Sequence, residues 1–184
     1  ASMERIYPFA KRDGIKKGII QNINFQYDVN AQNTLKTNDD DFLTGRMFDN
    51  AKLGARHRIP LSTNFKVAKY FSVTVGGTYE DLWTFDTYQR AYDEEKNTRI
   101  VTDTIKGFDR FNRYNFSTSI GTTLYGRVNF KEGSKIQAIR HVVRPSISYG
   151  YTPSFDQFYE NLLDSNGELT YDRSGELQRY TRFE

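Results

Sequence analysis

Histidine and serine are the first residues to test for nucleophilic chemistry, because the 184-residue chain has no cysteine. That removes thiol nucleophiles, disulfides, CxxC motifs and thiolate metal ligands. His57 and His141, the two histidines, fall on the apolar parity of strand-like stretches. Ser62, Ser72, Ser117, Ser119, Ser146 and Ser148 fall on the opposite parity. A nucleophile and its base must come within hydrogen-bonding reach, so both histidines read as structural. Asp39-Asp40-Asp41 could meet a divalent cation but lacks the spacing and terminal Glu of an EF-hand loop. There is no GxxxxGK[ST], HExxH or GxSxG, and no GxGxxG after a strand. Gly76-Gly77 lies inside an alternating stretch and reads as a bulge or a close approach. No catalytic residue, metal ligand or cofactor is expected, and no enzyme. Arginine remains: Arg56, Arg58 and Arg144, with Arg127 and Arg140, share one polar parity. A guanidinium pairs bidentately with phosphate or carboxylate. These arginines either neutralise acids of the same face, such as Asp28 and Glu80, or line a path for an anionic glycolipid or solute. Arg56, Arg58 and Arg144 are the candidates for that contact.

The elements that must position them are strands. Over residues 19–32 the odd positions read Ile19, Gln21, Ile23, Phe25, Tyr27, Val29 and Ala31, and the even ones are Asn, Gln or Asp from 22 onward. Period two is the mark of a strand with one apolar and one wet face. Four further stretches repeat it: odd-apolar from Leu53 to Phe65 and from Phe71 to Phe85, even-apolar from Tyr114 to Val128, and odd-apolar from Ile139 to Tyr151. Pro60 and Pro145 fall inside two of them, where each removes a ladder donor and favours an edge, bend or bulge. The fold class is all-β, an antiparallel up-and-down sheet of about five long strands in one domain over residues 1–184.

By their alternation these strands run about 13–17 residues, against about 5–6 in ordinary globular sheets. A tilted strand needs about 9–11 to cross a bilayer. Aromatics make up 15 % of the chain, concentrated on the apolar parity, as in the girdles of membrane barrels. A soluble sandwich with one solvated face, binding glycans through its aromatics, is the competing architecture. Its strands would be shorter, with turns every 8–12 residues or so. With 26 bases against 23 acids, net +3, the charge is too balanced for a nucleic-acid surface.

Connections alternate in length. Residues 10–17, 66–69 and 130–137 are short turns; 34–50, 87–110 and 153–184 are long. The short turns carry eight bases against two acids, net +6, and the long connections ten against sixteen, net −6. Outer-membrane barrels have short periplasmic turns and long outer loops, so the long connections are expected outside. Phe25, Tyr27, Val73, Val75, Ile120, Leu124 and Ile147 are then expected to touch lipid. Arg5 to Phe9 reads as the end of an earlier strand. Bacterial barrels start at about eight strands, so the chain is expected to be an internal piece of a longer protein.

The run Ile139-Arg140-His141-Val142-Val143-Arg144-Pro145-Ser146-Ile147-Ser148-Tyr149-Gly150-Tyr151-Thr152-Pro153 resembles a segment typical of the LptD family, outer-membrane lipopolysaccharide-assembly proteins of Gram-negative bacteria. The stretch from His57 to Lys66 followed by Lys69-Tyr70-Phe71-Ser72 is similar to that family's mid-barrel hairpin, as is Ile6-Tyr7-Pro8-Phe9 before a basic turn. The resemblance implies a translocon that inserts lipopolysaccharide into the outer leaflet. It also implies a plug lipoprotein, periplasmic bridge proteins, lipopolysaccharide and outer-membrane lipid as partners. In the family, lipid leaves by a gate between first and last barrel strands, and no gate residue is carried onto this chain. A generic outer-membrane porin or solute channel is the alternative of another transport class.

Overall fold

A computed structural model describes residues 1–11, 14–16, 18–35, 38–42, 44–45, 47, 51–133 and 135–183. Ten strands follow in chain order: β1 (Ser2–Ile6), β2 (Asn24–Thr34), β3 (Lys52–Val67), β4 (Phe71–Asp93), β5 (Thr98–Thr122), β6 (Leu124–Asn129), β7 (Ala138–Val143), β8 (Ser146–Tyr151), β9 (Tyr159–Asn161) and β10 (Arg179–Thr181). The main sheet is antiparallel, in the order β1-β2-β3-β4-β5-β8, and is not closed within this chain. No described helix is long and apolar enough to cross a membrane, which says nothing about strands.

The register carries the period-two pattern across the whole sheet. Phe25 faces Leu61, Leu61 faces Gly77, Gly77 faces Phe116, and Phe116 faces Tyr151. The row Phe65, Val73, Ile120 and Ile147 lies toward the β3–β4 turn. A one-residue slip of any strand would mix the two faces. Large apolar side chains stay exposed on this side, among them Leu61, Tyr114, Phe116, Ile147 and Tyr149.

The structure alters several expectations. Residues 19–21 lie in a helical turn (Gly18–Gln21), entered through Gly18 at φ 76°. Asn22 donates to the Gly18 carbonyl at 2.7 Å, so β2 starts only at Asn24. Residues 87–110 are not a loop. β4 and β5 run to 23 and 25 residues and turn only over 94–97. At roughly 3.4 Å per residue their hairpin far exceeds a membrane's thickness. Two bulges on β5 hid it: Gly107 and Phe108 together oppose Phe85, and Thr102 is the extra residue between Val101 and Asp103. Gly107, at φ 148°, takes a conformation side chains disfavour.

Both prolines interrupt ladders, Pro60 inside the sheet and Pro145 along its last strand, at the edge. Pro60 lies in β3, between β2 and β4; pairing to β2 stops at Gln26 and Tyr27 and resumes at Asp28. Pro145 divides β7 from β8 and, across from it, β5 from β6. The register is the same on both sides of the break, and the Thr122 amide still donates to the Pro145 carbonyl at 3.1 Å. Gly76 and Gly77 form no bulge. A Cβ on Gly77 would stand 2.6 Å from the Asn115 carbonyl oxygen, so the strands meet there too closely for any side chain.

Candidate functional site

The polar face is organised in rows that cross the strands. Asp28, Arg58, Glu80 and Arg113 occupy one row over β2 to β5. Glu80 takes two contacts on one carboxylate oxygen, from Arg113 Nε at 2.7 Å and Nη2 at 2.6 Å. Its other oxygen lies 3.4 Å from Arg58 Nε. Asp28 instead accepts from Gln26 Nε2 at 3.2 Å. The expected neutralisation of arginines by same-face acids thus holds for Arg58 through Glu80. Arg113 belongs to the same bridge, and the parity of β5 already put it on this face.

The next row outward holds Asn30, Arg56, Leu82 and Phe111. Arg56 lines two cavities. One, of about 450 Å³, includes Gln32, Lys52, Asp86 and Phe183. The other, of about 150 Å³, includes Glu80, Arg113 and Tyr159. Arg144 is not with them. It lies in the break between β7 and β8, across from Thr123, ten positions along β5 from Arg113. At about 3.3 Å per residue that is roughly 33 Å. Arg127 and Arg140 face each other near that end, with Arg127 donating to Asn129 at 2.8 Å and Arg140 5.0 Å from the Tyr125 ring centre.

The roof over the Arg56 cavities comes from residues 153–183, which no alternation foretold. The segment leaves β8 and crosses the polar face of β5 and β4. Phe158 meets the Phe111 ring edge-on at 4.8 Å, and Phe183 stacks on it at 5.4 Å. Arg182 pairs with Asp109 at 3.1 Å. Beyond Gly54, where β3 ceases to pair with β4, the free edge of β4 is taken up by this segment. The Tyr88 amide donates to the Arg182 carbonyl at 2.9 Å, and the Tyr92 amide to that of Leu163 at 2.8 Å. Leu162 is completely buried. The Ser154 hydroxyl and the Arg179 guanidinium hold the Asp156 carboxyl below the ordinary carboxylate range, and burial pushes the Tyr180 hydroxyl up.

A sequence signal for this fold existed. Asp164-Ser165-Asn166-Gly167-Glu168-Leu169 recurs eight residues on as Asp172-Arg173-Ser174-Gly175-Glu176-Leu177. Each aspartate folds its own turn: Asp164 Oδ1 accepts from the amides of Asn166 and Glu168, and Asp172 Oδ1 from those of Ser174 and Glu176. Gly167 and Gly175 both adopt φ 81°. Side-chain acceptors of this kind stabilise turns locally.

The histidines stand where their parity put them. Tyr27 Oη lies 2.6 Å from His57 Nδ1, and the Trp83 ring 4.2 Å from the His57 ring. His141 is exposed opposite Gly126. Ser62 hydrogen-bonds Asn24 on the other face. Asp39–Asp41 forms one 3-10 turn; the Asp41 side chain lies outside the described residues. Among the described residues no cluster of three or more His, Cys, Asp or Glu could hold a metal ion.

A family model described as LptD protein matches residues 1–184, the whole chain. The chain belongs to the LptD family. Proteins of this family are outer-membrane proteins of Gram-negative bacteria that serve lipopolysaccharide transport and assembly. No curated relative and no solved structure matches significantly. An LptD-family chain built as an antiparallel sheet with one apolar face fits a barrel wall.

Proposed function

We propose that this sheet is part of the barrel wall of a lipopolysaccharide translocon, with its apolar face against lipid and its polar face against the lumen. On this reading Arg56 and Arg58 offer a cationic, hydrogen-bonding surface to the sugar-phosphate part of passing lipopolysaccharide. The observation that carries it is the position of Arg56, beside the Arg58–Glu80–Arg113 bridge and lining both cavities beneath residues 153–183. Arg144, at the short-turn end, would serve the same path at its other end. A wide lumen keeps water, so each contact is weak and screened by salt over about 8–10 Å. Transport needs brief, replaceable contacts rather than one tight site. The plug lipoprotein and the periplasmic bridge proteins complete the path.

The test is photocrosslinking in cells, with probes at 56, 58 and 144 of the intact protein and lipid-facing controls at 73 and 75. Lipopolysaccharide adducts at the polar positions support the reading. If a correctly assembled barrel crosslinks elsewhere and never at these three, the arginines are structural partners of Glu80 and its neighbours.

A further inference from the structure

The apolar face carries one polar constellation. Across β2 to β5 among the described residues, Arg110 is the one arginine or lysine on this side, directly opposite Trp83. It sits in an aromatic cluster: His57 contacts Tyr27 and Trp83, and Phe108 contacts Trp83 and Phe85. Asp81, across from His57 in register, has a side chain only 9 % exposed. One of its oxygens accepts from Trp83 Nε1 at 2.9 Å, while its Oδ1 is buried without a partner, as is His57 Nε2. Arg110 lies 3.7 Å from Asp81, too far for a hydrogen bond, and donates weakly to Tyr79 Oη at 3.4 Å. Most of its N–H fork stays available, and its side chain is half exposed.

Two positions down the same strands lies a depression of about 280 Å³ on the same face, lined by Phe25, Ile59, Leu61, Gly77, Tyr79 and Tyr114. Its floor is the glycine that tolerates no side chain. Tyr79 joins the two features, lining the groove and accepting from Arg110. A cationic fork and an aromatic collar above an apolar groove together match an amphiphile with an anionic head.

We infer that this chain binds one anionic lipid on its outward face, with a phosphate at Arg110 and an acyl chain in the groove over Gly77. The inference rests on the apolar face meeting lipid, but not on transport through the lumen. The occupant is a bilayer lipid whose headgroup exposes an anionic phosphate. A phosphate would give Arg110, whose contact with Asp81 is long at 3.7 Å, a closer anionic partner on a face where a cation is expensive.

Native mass spectrometry of the intact parent barrel, titrated with phosphatidic acid or phosphatidylcholine of identical chains, tests this. The wild type should retain one phosphatidic acid in preference to phosphatidylcholine. Arg110→Gln, folded by its heat-dependent gel shift, should lose about tenfold in phosphatidic-acid affinity, the scale of one bidentate charge-assisted contact. Arg110→Lys, which keeps the charge without the fork, should fall between, and it decides the matter if the glutamine variant does not fold. Equal retention of the two lipids by the wild type, or unchanged preference in a folded variant, would overturn the site. Failure of lipopolysaccharide crosslinking at 56 and 58 would leave it standing.

Discussion

Arginine introduced at Val75 and at Thr74 separates a lipid-facing from a water-facing surface with neighbouring residues of one strand. On β4 the apolar parity runs from Phe71, at the short turn, to Trp83, in the aromatic cluster. Those twelve steps span roughly 40 Å along the strand, or about 30 Å of membrane height at a tilt near 40°. Gly77 is the midpoint, and Val75 lies only about 5 Å below it by the same geometry. Val75 stands between Thr63 and Thr118, whereas Thr74 stands between Asn64 and Ser119. Arginine against the bilayer midplane costs about 2–4 kcal/mol, falling toward the interfaces. Val75→Arg should therefore cost about 2–3 kcal/mol, roughly a 30- to 150-fold loss in the folding equilibrium. Thr74→Arg, on a wet face, should stay within about 0.5 kcal/mol. Urea titration of the parent barrel folded into lipid vesicles measures both. Equal costs, or a larger cost at Thr74, would refute the assignment and make the apolar face a packed interior.

Three further outcomes follow from single contacts. Gly77→Ala should destabilise the barrel by about 1–3 kcal/mol, because the added methyl meets a backbone oxygen; Gly76→Ala, whose nearest atom would be 3.3 Å away, should cost clearly less in the same titration. Leu162→Ala should remove about 2–5 kcal/mol from the folding of residues 153–183, seen as faster proteolysis within 164–178 while the barrel keeps its gel shift. Asp156 has a lowered folded-state pKa, so its contribution is complete above the ordinary value of 3.8 and is lost as pH falls through the lowered one. Amide exchange over 156–162, corrected for intrinsic rate, should hold from neutral pH down to that range and then rise, and Asp156→Asn should show the looser state already at neutral pH.

Alternation made the sheet legible because register preserves it. Each apolar parity read from a single strand meets its like on the neighbour, and Arg56 and Arg58 could be placed side by side before any coordinates. The same rule failed at 87–110. The two bulges on β5 move the outward set from even positions to odd at Ile105 and Asp103, and back at Ile100. No constant period survives, and the dense charge suggested a loop. Arg144 shares a face with Arg56, but parity says nothing of height, and the register puts it far down the sheet. The fold of 153–183 rests on aspartate-built turns and a few aromatic contacts with Phe111, so its signal was the repeated Asp-x-x-Gly-Glu-Leu rather than a period. The lone Arg110 is hidden from a period-two reading because it lies in the bulged stretch, whose sequence reads as loop.

The central claim is that one face of this sheet meets water in a lumen and the other meets lipid. Spin labels placed singly at 73–76 and 78–80 in the parent barrel, embedded in vesicles, test it directly through collisions with oxygen, which concentrates in lipid, and with a water-soluble nickel complex. The account predicts period two along β4, with oxygen favoured at 73, 75 and 79 and nickel at 74, 76, 78 and 80. Nickel access at both parities, or oxygen favoured at the even positions, would contradict it.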